Sequence, residues 1–123
     1  MRTVVGIGVA GCLGALARYG LDGFVSRRAG AFPWGTFVVN VSGSFLLGFV
    51  VTVLGERVAA APWLRAALAI GFLGAYTTFS TFAQESRDLF VGGHVSLAVM
   101  NASASVVVGL LAVAAGSSVG RLV

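Results

Sequence analysis

The chain has 123 residues, 58% hydrophobic and only 10% charged, with mean hydropathy +0.99; a disordered chain is excluded, and the composition argues against a water-exposed globule, since a soluble domain carries about 25% charged residues. All eight basic residues are Arg and the net charge is +4, but they are scattered between apolar segments, which fits charges flanking membrane spans and not a nucleic-acid-binding stripe. The single cysteine, Cys12, excludes an intrachain disulfide and any multi-cysteine metal site.

A membrane-spanning helix needs about 20 mostly apolar residues. Uncharged runs cover 3–17, continuing apolar past Arg18 and Asp22 to Val25, then 29–55, 66–84 and 95–120. They predict one all-α transmembrane domain over 1–123, with four helices at roughly 3–25, 35–55, 66–84 and 95–117, joined near 26–34, 56–65 and 85–94. The runs lack the alternation of apolar and polar residues that a β-barrel strand requires. So few residues remain outside the spans that there is no room for a separate catalytic domain, and four helices enclose a solute path poorly, so an oligomer is expected.

Helix one opens with Arg2, and Val9-Ala10-Gly11-Cys12 loosely resembles a lipoprotein cleavage box. The apolar stretch before Cys12 is short and glycine-rich, and apolar character continues beyond it, so the run reads as a retained span with Cys12 as a packing residue. Arg18 and Asp22 stand four apart and share a face. Two readings stay open: Arg18 faces a cavity or partner, or it snorkels to the interface.

Helix two begins at Phe32-Pro33-Trp34-Gly35-Thr36, where Pro and Trp suit an interfacial helix start. Asn40, Ser44 and Gly48 follow at a spacing of four, with Gly43 beside them. Packing of the small-xxx-small kind accounts for Gly43, Ser44 and Gly48. It accounts less well for Asn40, whose amide has several hydrogen-bonding groups to satisfy.

Helix three reads Gly71-Phe72-Leu73-Gly74-Ala75-Tyr76-Thr77-Thr78-Phe79-Ser80-Thr81-Phe82. Glycine and threonine are poor helix formers, so a break near the middle is expected. In lipid a break survives only where the freed backbone is buried in protein or faces water, and unwound carbonyls there suit a cation. Phe79 and Phe82 share a face if the helix resumes, and their electropositive ring edges suit an anion; plain lipid-facing or core packing is the competing account. In helix four, Asn101, Ser105 and Gly109 stand four apart with Ser103 offset, either a packing face or, with the Asn40 stripe, a hydrogen-bonding track.

Four spans return both termini to one side with Arg2, Arg57, Arg65 and Arg121, while Arg27, Arg28 and Arg87 lie on the other, with Arg18 near the end of helix one. Such a near-tie leaves orientation open: either one arginine decides a single topology, or the chain inserts both ways and pairs head-to-tail, with a two-fold axis in the membrane plane. The one histidine, His94, falls in a connection, and no nucleophile–base pair, zinc set or phosphate loop is present, so no enzyme is expected.

On these motifs the chain resembles the Fluc (CrcB) family of small fluoride channels along essentially its whole length. Gly14-Ala15-Leu16-Ala17-Arg18-Tyr19, the stretch from Gly35 through Asn40 to Phe45, and above all the Gly71-to-Phe82 run carry the resemblance. It implies an antiparallel, dual-topology homodimer in the cell inner (plasma) membrane, passing fluoride passively through two pores along the subunit interface and protecting the cell against fluoride. It further implies a central structural sodium ion (Na+) on the backbone carbonyls of Gly74 and Thr77, pore rings at Phe79 and Phe82, pore donors at Asn40, Ser80, Thr81 and Ser105, and Arg18 as the first-helix arginine. The chain departs from the family pattern at Asn101, where many members have tyrosine, and at Gly109, where some have serine. Two rival readings remain: a small four-helix multidrug/proton exporter, which would need a carboxylate in helix one where 3–17 has none, and a non-conducting accessory membrane subunit.

Overall fold

A computed structural model describes residues 1–27, 30–57 and 60–123, and the regular structure among them is entirely helical. Helix α1 spans Arg2–Ser26; α2 spans Trp34–Thr52 and runs on into a π-helical turn at Val53–Arg57; α3 covers Pro62–Ala66, followed by a π-helical segment at Ala67–Leu73 and the short α4 at Gly74–Tyr76; α5 covers Phe79–Val91 and α6 Val95–Leu122. Four stretches are long and apolar enough to cross a bilayer: Arg2–Ser26, Trp34–Glu56, Pro62–Val91 and Val95–Leu122. Arg28, which enters the charge tally above, lies outside the described residues.

Helices α1, α2 and α6 are apolar nearly all round, the mark of a membrane span rather than a surface helix, whereas α5 carries a polar face in its last turns. Large side chains such as Val9, Leu13, Leu110 and Leu111 are exposed on the single chain. The interior is small: Val39, Leu73 and Tyr76 are buried, with Ala17, Leu21, Val50 and Phe72 packed on them. In lipid, helix association rests on close backbone approach and interhelical hydrogen bonds rather than on burial of apolar area. The sequence supplies the necessary small residues. A Cβ on Gly116 would collide with the Phe45 carbonyl, so α6 lies directly against α2; a Cβ on Gly14 would collide with the Phe72 carbonyl, so α1 lies as closely against the third span.

The third span extends beyond its uncharged run. Its helix passes Gln84 and Glu85 and ends only at Val91, where Gly93, at φ 82°, turns the chain and the His94 N–H caps the Leu89 carbonyl at 2.8 Å. The polar residues that read as a connection are the last turns of a helix, with Gln84 Nε2 donating to Asp88 at 2.9 Å. At the start of the second span, Phe32, Trp34 and Phe37 form an aromatic cluster with ring centroids 4.6 to 5.8 Å apart. An aromatic cluster suits the membrane–water interface.

Candidate functional site

Between α4 and α5 two residues leave helical geometry: Thr77 at φ −82°, ψ 158° and Thr78 at φ −149°, ψ 118°. Each side of this extended pair is closed by threonine chemistry. The Thr77 N–H and Oγ1 both donate to the Leu73 carbonyl, at 3.0 and 2.9 Å. Thr78 is the N-cap of α5: its Oγ1 accepts the Thr81 N–H at 3.3 Å, the usual way to satisfy a donor in a helix's first turn.

Asn40, on α2, holds the pair in place. Its Nδ2 donates to the Thr78 carbonyl at 2.9 Å, and its Oδ1 accepts the Thr78 N–H at 2.8 Å. A continuous helix would return the Thr78 N–H to the Gly74 carbonyl and the Thr81 N–H to the Thr77 carbonyl. Both donors are diverted, one to Asn40 and one to the Thr78 hydroxyl. The carbonyls of Gly74 and Thr77 therefore lose their helical donors, and these are the two oxygens that the sequence resemblance assigns to a cation.

An open concavity of about 270 Å³ lies over this break, and Asn40, Ser44, Gly74, Thr77, Thr78 and Phe79 line it. Gly43 allows the third span to approach α2 here, since a Cβ would collide with Thr77 Cγ2. The arrangement fits a sodium ion in its donor type: neutral backbone oxygens without helical partners, beside a second amide, are the ligands that hard monovalent cations take in unwound membrane helices.

Phe79 is 79% exposed on the single chain, and Phe82 is half-buried. Their ring centroids lie 5.6 Å apart, tilted by 49°. The hydroxyls beside them are ordered by Thr78. Its Oγ1 donates to Thr81 Oγ1 at 3.0 Å and lies 3.4 Å from Ser80 Oγ. Since the Thr81 oxygen accepts, its own proton is left for another acceptor.

The remaining residues singled out from the sequence lie elsewhere. Ser105 does not line the concavity; its Oγ donates to Asn101 Oδ1 at 3.3 Å. Arg18 is half-buried on α1 and forms no ion pair with a described residue; Asp22 instead accepts the Ser26 hydroxyl at 3.0 Å. Gly109 faces Ser44, with room for a Cβ 3.7 Å from its Oγ.

Three contributors were not legible as such. Thr36 Oγ1 donates to Glu85 Oε1 at 2.9 Å, joining α2 to α5. The other carboxylate oxygen of Glu85 is buried and has no hydrogen-bond partner among the described residues. Ser86 Oγ links the Phe82 carbonyl to Asn101. Glu85 and Ser86 lie just past the uncharged run and so read as loop, although Gln84, Glu85 and Asp88 without an intervening Gly or Pro are a helix-compatible series. The cap at Thr78 had a local signal in its hydroxyl, three residues before Thr81.

The family described as CrcB-like protein, Camphor Resistance (CrcB), matches residues 5–117. Among curated relatives, the "Fluoride-specific ion channel FluC" of Nitratidesulfovibrio vulgaris is 47% identical over 124 residues, covering 100% of both chains. That of Geotalea daltonii is 46% identical over 112 residues, 90% of each chain. That of Geobacter sulfurreducens is 43% identical over 122 residues, 98% of each chain.

Proposed function

The chain belongs to the CrcB-like family, and from that premise we propose that it is a passive, fluoride-selective channel of the cell inner membrane, a multi-pass membrane protein and not an enzyme. The observation that carries the reading is the extended Thr77–Thr78 pair clamped by Asn40, which releases two backbone carbonyls beside an exposed phenylalanine. A fixed break of that kind has no role in a merely lipid-filling helix, where unsatisfied backbone is strongly disfavoured.

The functional unit is an antiparallel homodimer. The concavity with Gly74, Thr77 and Phe79 is open on one chain, and a second copy in the opposite orientation closes it, giving two pores along the shared interface. Gly74 and Thr77 of both copies would hold a sodium ion, which supplies positive charge and braces the interface. Arginines shared almost evenly between the two sides are compatible with insertion in both directions.

Fluoride is small and strongly hydrated, so the pore must replace its water. The chain offers donors of moderate strength. Asn40 uses one amide N–H on the Thr78 carbonyl and retains the other. The Thr81 proton is free because its oxygen already accepts from Thr78. Ser80 is exposed beside them, whereas Ser105, whose proton goes to the Asn101 amide oxygen, stands behind Asn101 on α6 and supports the track rather than donating to the ion. The edges of Phe79 and Phe82 add weak positive potential while excluding water. Arg18 raises the local anion concentration on its side. Several weak sites, rather than one tight one, permit conduction.

Purified protein in liposomes loaded with fluoride or chloride tests this directly, with a potassium ionophore to balance charge. Rapid fluoride release with chloride retained is expected. No release from folded, dimeric protein would refute the single-chain channel.

A further inference from the structure

Asn101 is 1% exposed, and it and Val39 are the largest fully buried side chains among the described residues. A buried amide is costly unless its groups are paired, and here the pairing has one direction. Ser105 Oγ donates to Asn101 Oδ1 at 3.3 Å; Asn101 Nδ2 donates to Ser86 Oγ at 2.9 Å; Ser86 Oγ donates to the Phe82 carbonyl at 2.8 Å. The orientation of the amide follows from this order. Because the single Ser86 proton goes to the Phe82 carbonyl, its oxygen must receive a proton, and only the Nδ2 side of Asn101 supplies one. Hydrogen bonds aligned donor-to-acceptor in a low-dielectric interior strengthen one another.

We propose that Asn101 is a positioning residue for Phe82: through Ser86 it ties the backbone of the second ring to α6, and so fixes that ring's place in the conduction path. This rests on the channel reading above. Phe79 is anchored separately, to α2, because Asn40 and Thr78 set its side of the break. The side chain of Ser86 bonds the carbonyl one turn earlier, an arrangement that bends helices slightly; Asn101 then determines which way the Phe82 turn leans. In this account Asn101 acts on fluoride only through Phe82, not as a donor to the ion.

The experiment uses the full-length protein with 4-fluorophenylalanine at position 82 or, separately, at position 79, read by 19F NMR, alongside fluoride efflux from liposomes. Asn101→Ala and Ser86→Ala should shift the position-82 resonance in the same direction and leave the position-79 resonance in place. Each should slow fluoride efflux on the order of tenfold, the scale of one lost buried hydrogen bond. The double variant should be no slower than either single one, and Ser86→Thr, which keeps the hydroxyl, should match the parent protein. An unmoved position-82 resonance in both single variants would overturn the proposal. So would slow efflux in Asn101→Ala with a silent Ser86→Ala, which would assign Asn101 to direct contact with the ion. If Asn101→Ala does not assemble, Ser86→Ala against Ser86→Thr decides alone. A parent protein that releases no fluoride would refute the channel reading, while the position-82 resonance would still report whether the tie exists.

Discussion

Asn40 and Thr78, 38 residues apart in sequence, exchange two hydrogen bonds: the amide nitrogen donates to the threonine carbonyl at 2.9 Å, and the amide oxygen accepts the threonine N–H at 2.8 Å. Asn40 thereby takes the place of the backbone partners that Thr78 would have in a continuous helix. One side chain thus makes an interrupted helix tolerable in lipid, and the interruption exposes the two carbonyls on which the proposed site is built.

Replacing Asn40 by Ala should remove both bonds and leave the buried Thr78 N–H without a partner, at about 1–3 kcal/mol. A lower melting temperature in detergent and a large loss of fluoride efflux are expected together. Parent-like stability would show that the break holds itself open without the amide.

The two rings should separate stability from conduction. Phe79 is 79% exposed on the single chain, so Phe79→Ala should leave each subunit's helical content unchanged while abolishing most fluoride efflux. Phe82→Ala should do the same with a modest cost in stability, since that ring is half-buried. Normal efflux in both variants would remove the rings from the pore.

Gly43 is expected to tolerate no added carbon. A Cβ there meets Thr77 Cγ2, and overpacking of this kind costs about 1–3 kcal/mol. Gly43→Ala should displace the Thr77–Thr78 pair and slow efflux, whereas Gly109→Ala, with ordinary contact distance to Ser44, should be nearly silent. Equal behaviour of the two variants in the liposome assay would contradict the assignment of the break to function.

Sodium should matter to assembly as well as to flux. Exchanging it for N-methylglucamine on both sides of the membrane should lower the dimer's melting temperature and slow fluoride efflux, with recovery on adding sodium back. Identical melting curves in the two media would speak against a cation on the Gly74 and Thr77 carbonyls.

Thr36 supplies the hydrogen bond to Glu85 at 2.9 Å, and the second oxygen of that carboxylate is buried without a partner among the described residues. Thr36→Val keeps the shape and removes the donor. A hydrogen bond to a charged group contributes about 1.5–3 kcal/mol, so a clear drop in thermal stability is expected, and Glu85→Gln in the same background should recover part of it.

The sequence by itself determined the four spans and their order, because a bilayer demands long apolar segments and allows few charges within them. It also marked the third helix as the unusual one: Gly74, Thr77 and Thr78 are poor helix residues wherever they stand, and Phe79 and Phe82 share a face by spacing alone. What only the tertiary structure decided is which groups meet. That Asn40 binds Thr78, that Thr36 binds Glu85 and that Asn101 reaches the Phe82 turn through Ser86 all depend on how each helix is rotated about its axis. The short polar stripes on these spans do not say which neighbour they meet, and the apolar faces around them reveal nothing, since lipid and protein neighbours accept the same side chains. Close glycine crossings such as Gly14 on Phe72 and Gly116 on Phe45 set it instead, and they become visible only once the helices are packed.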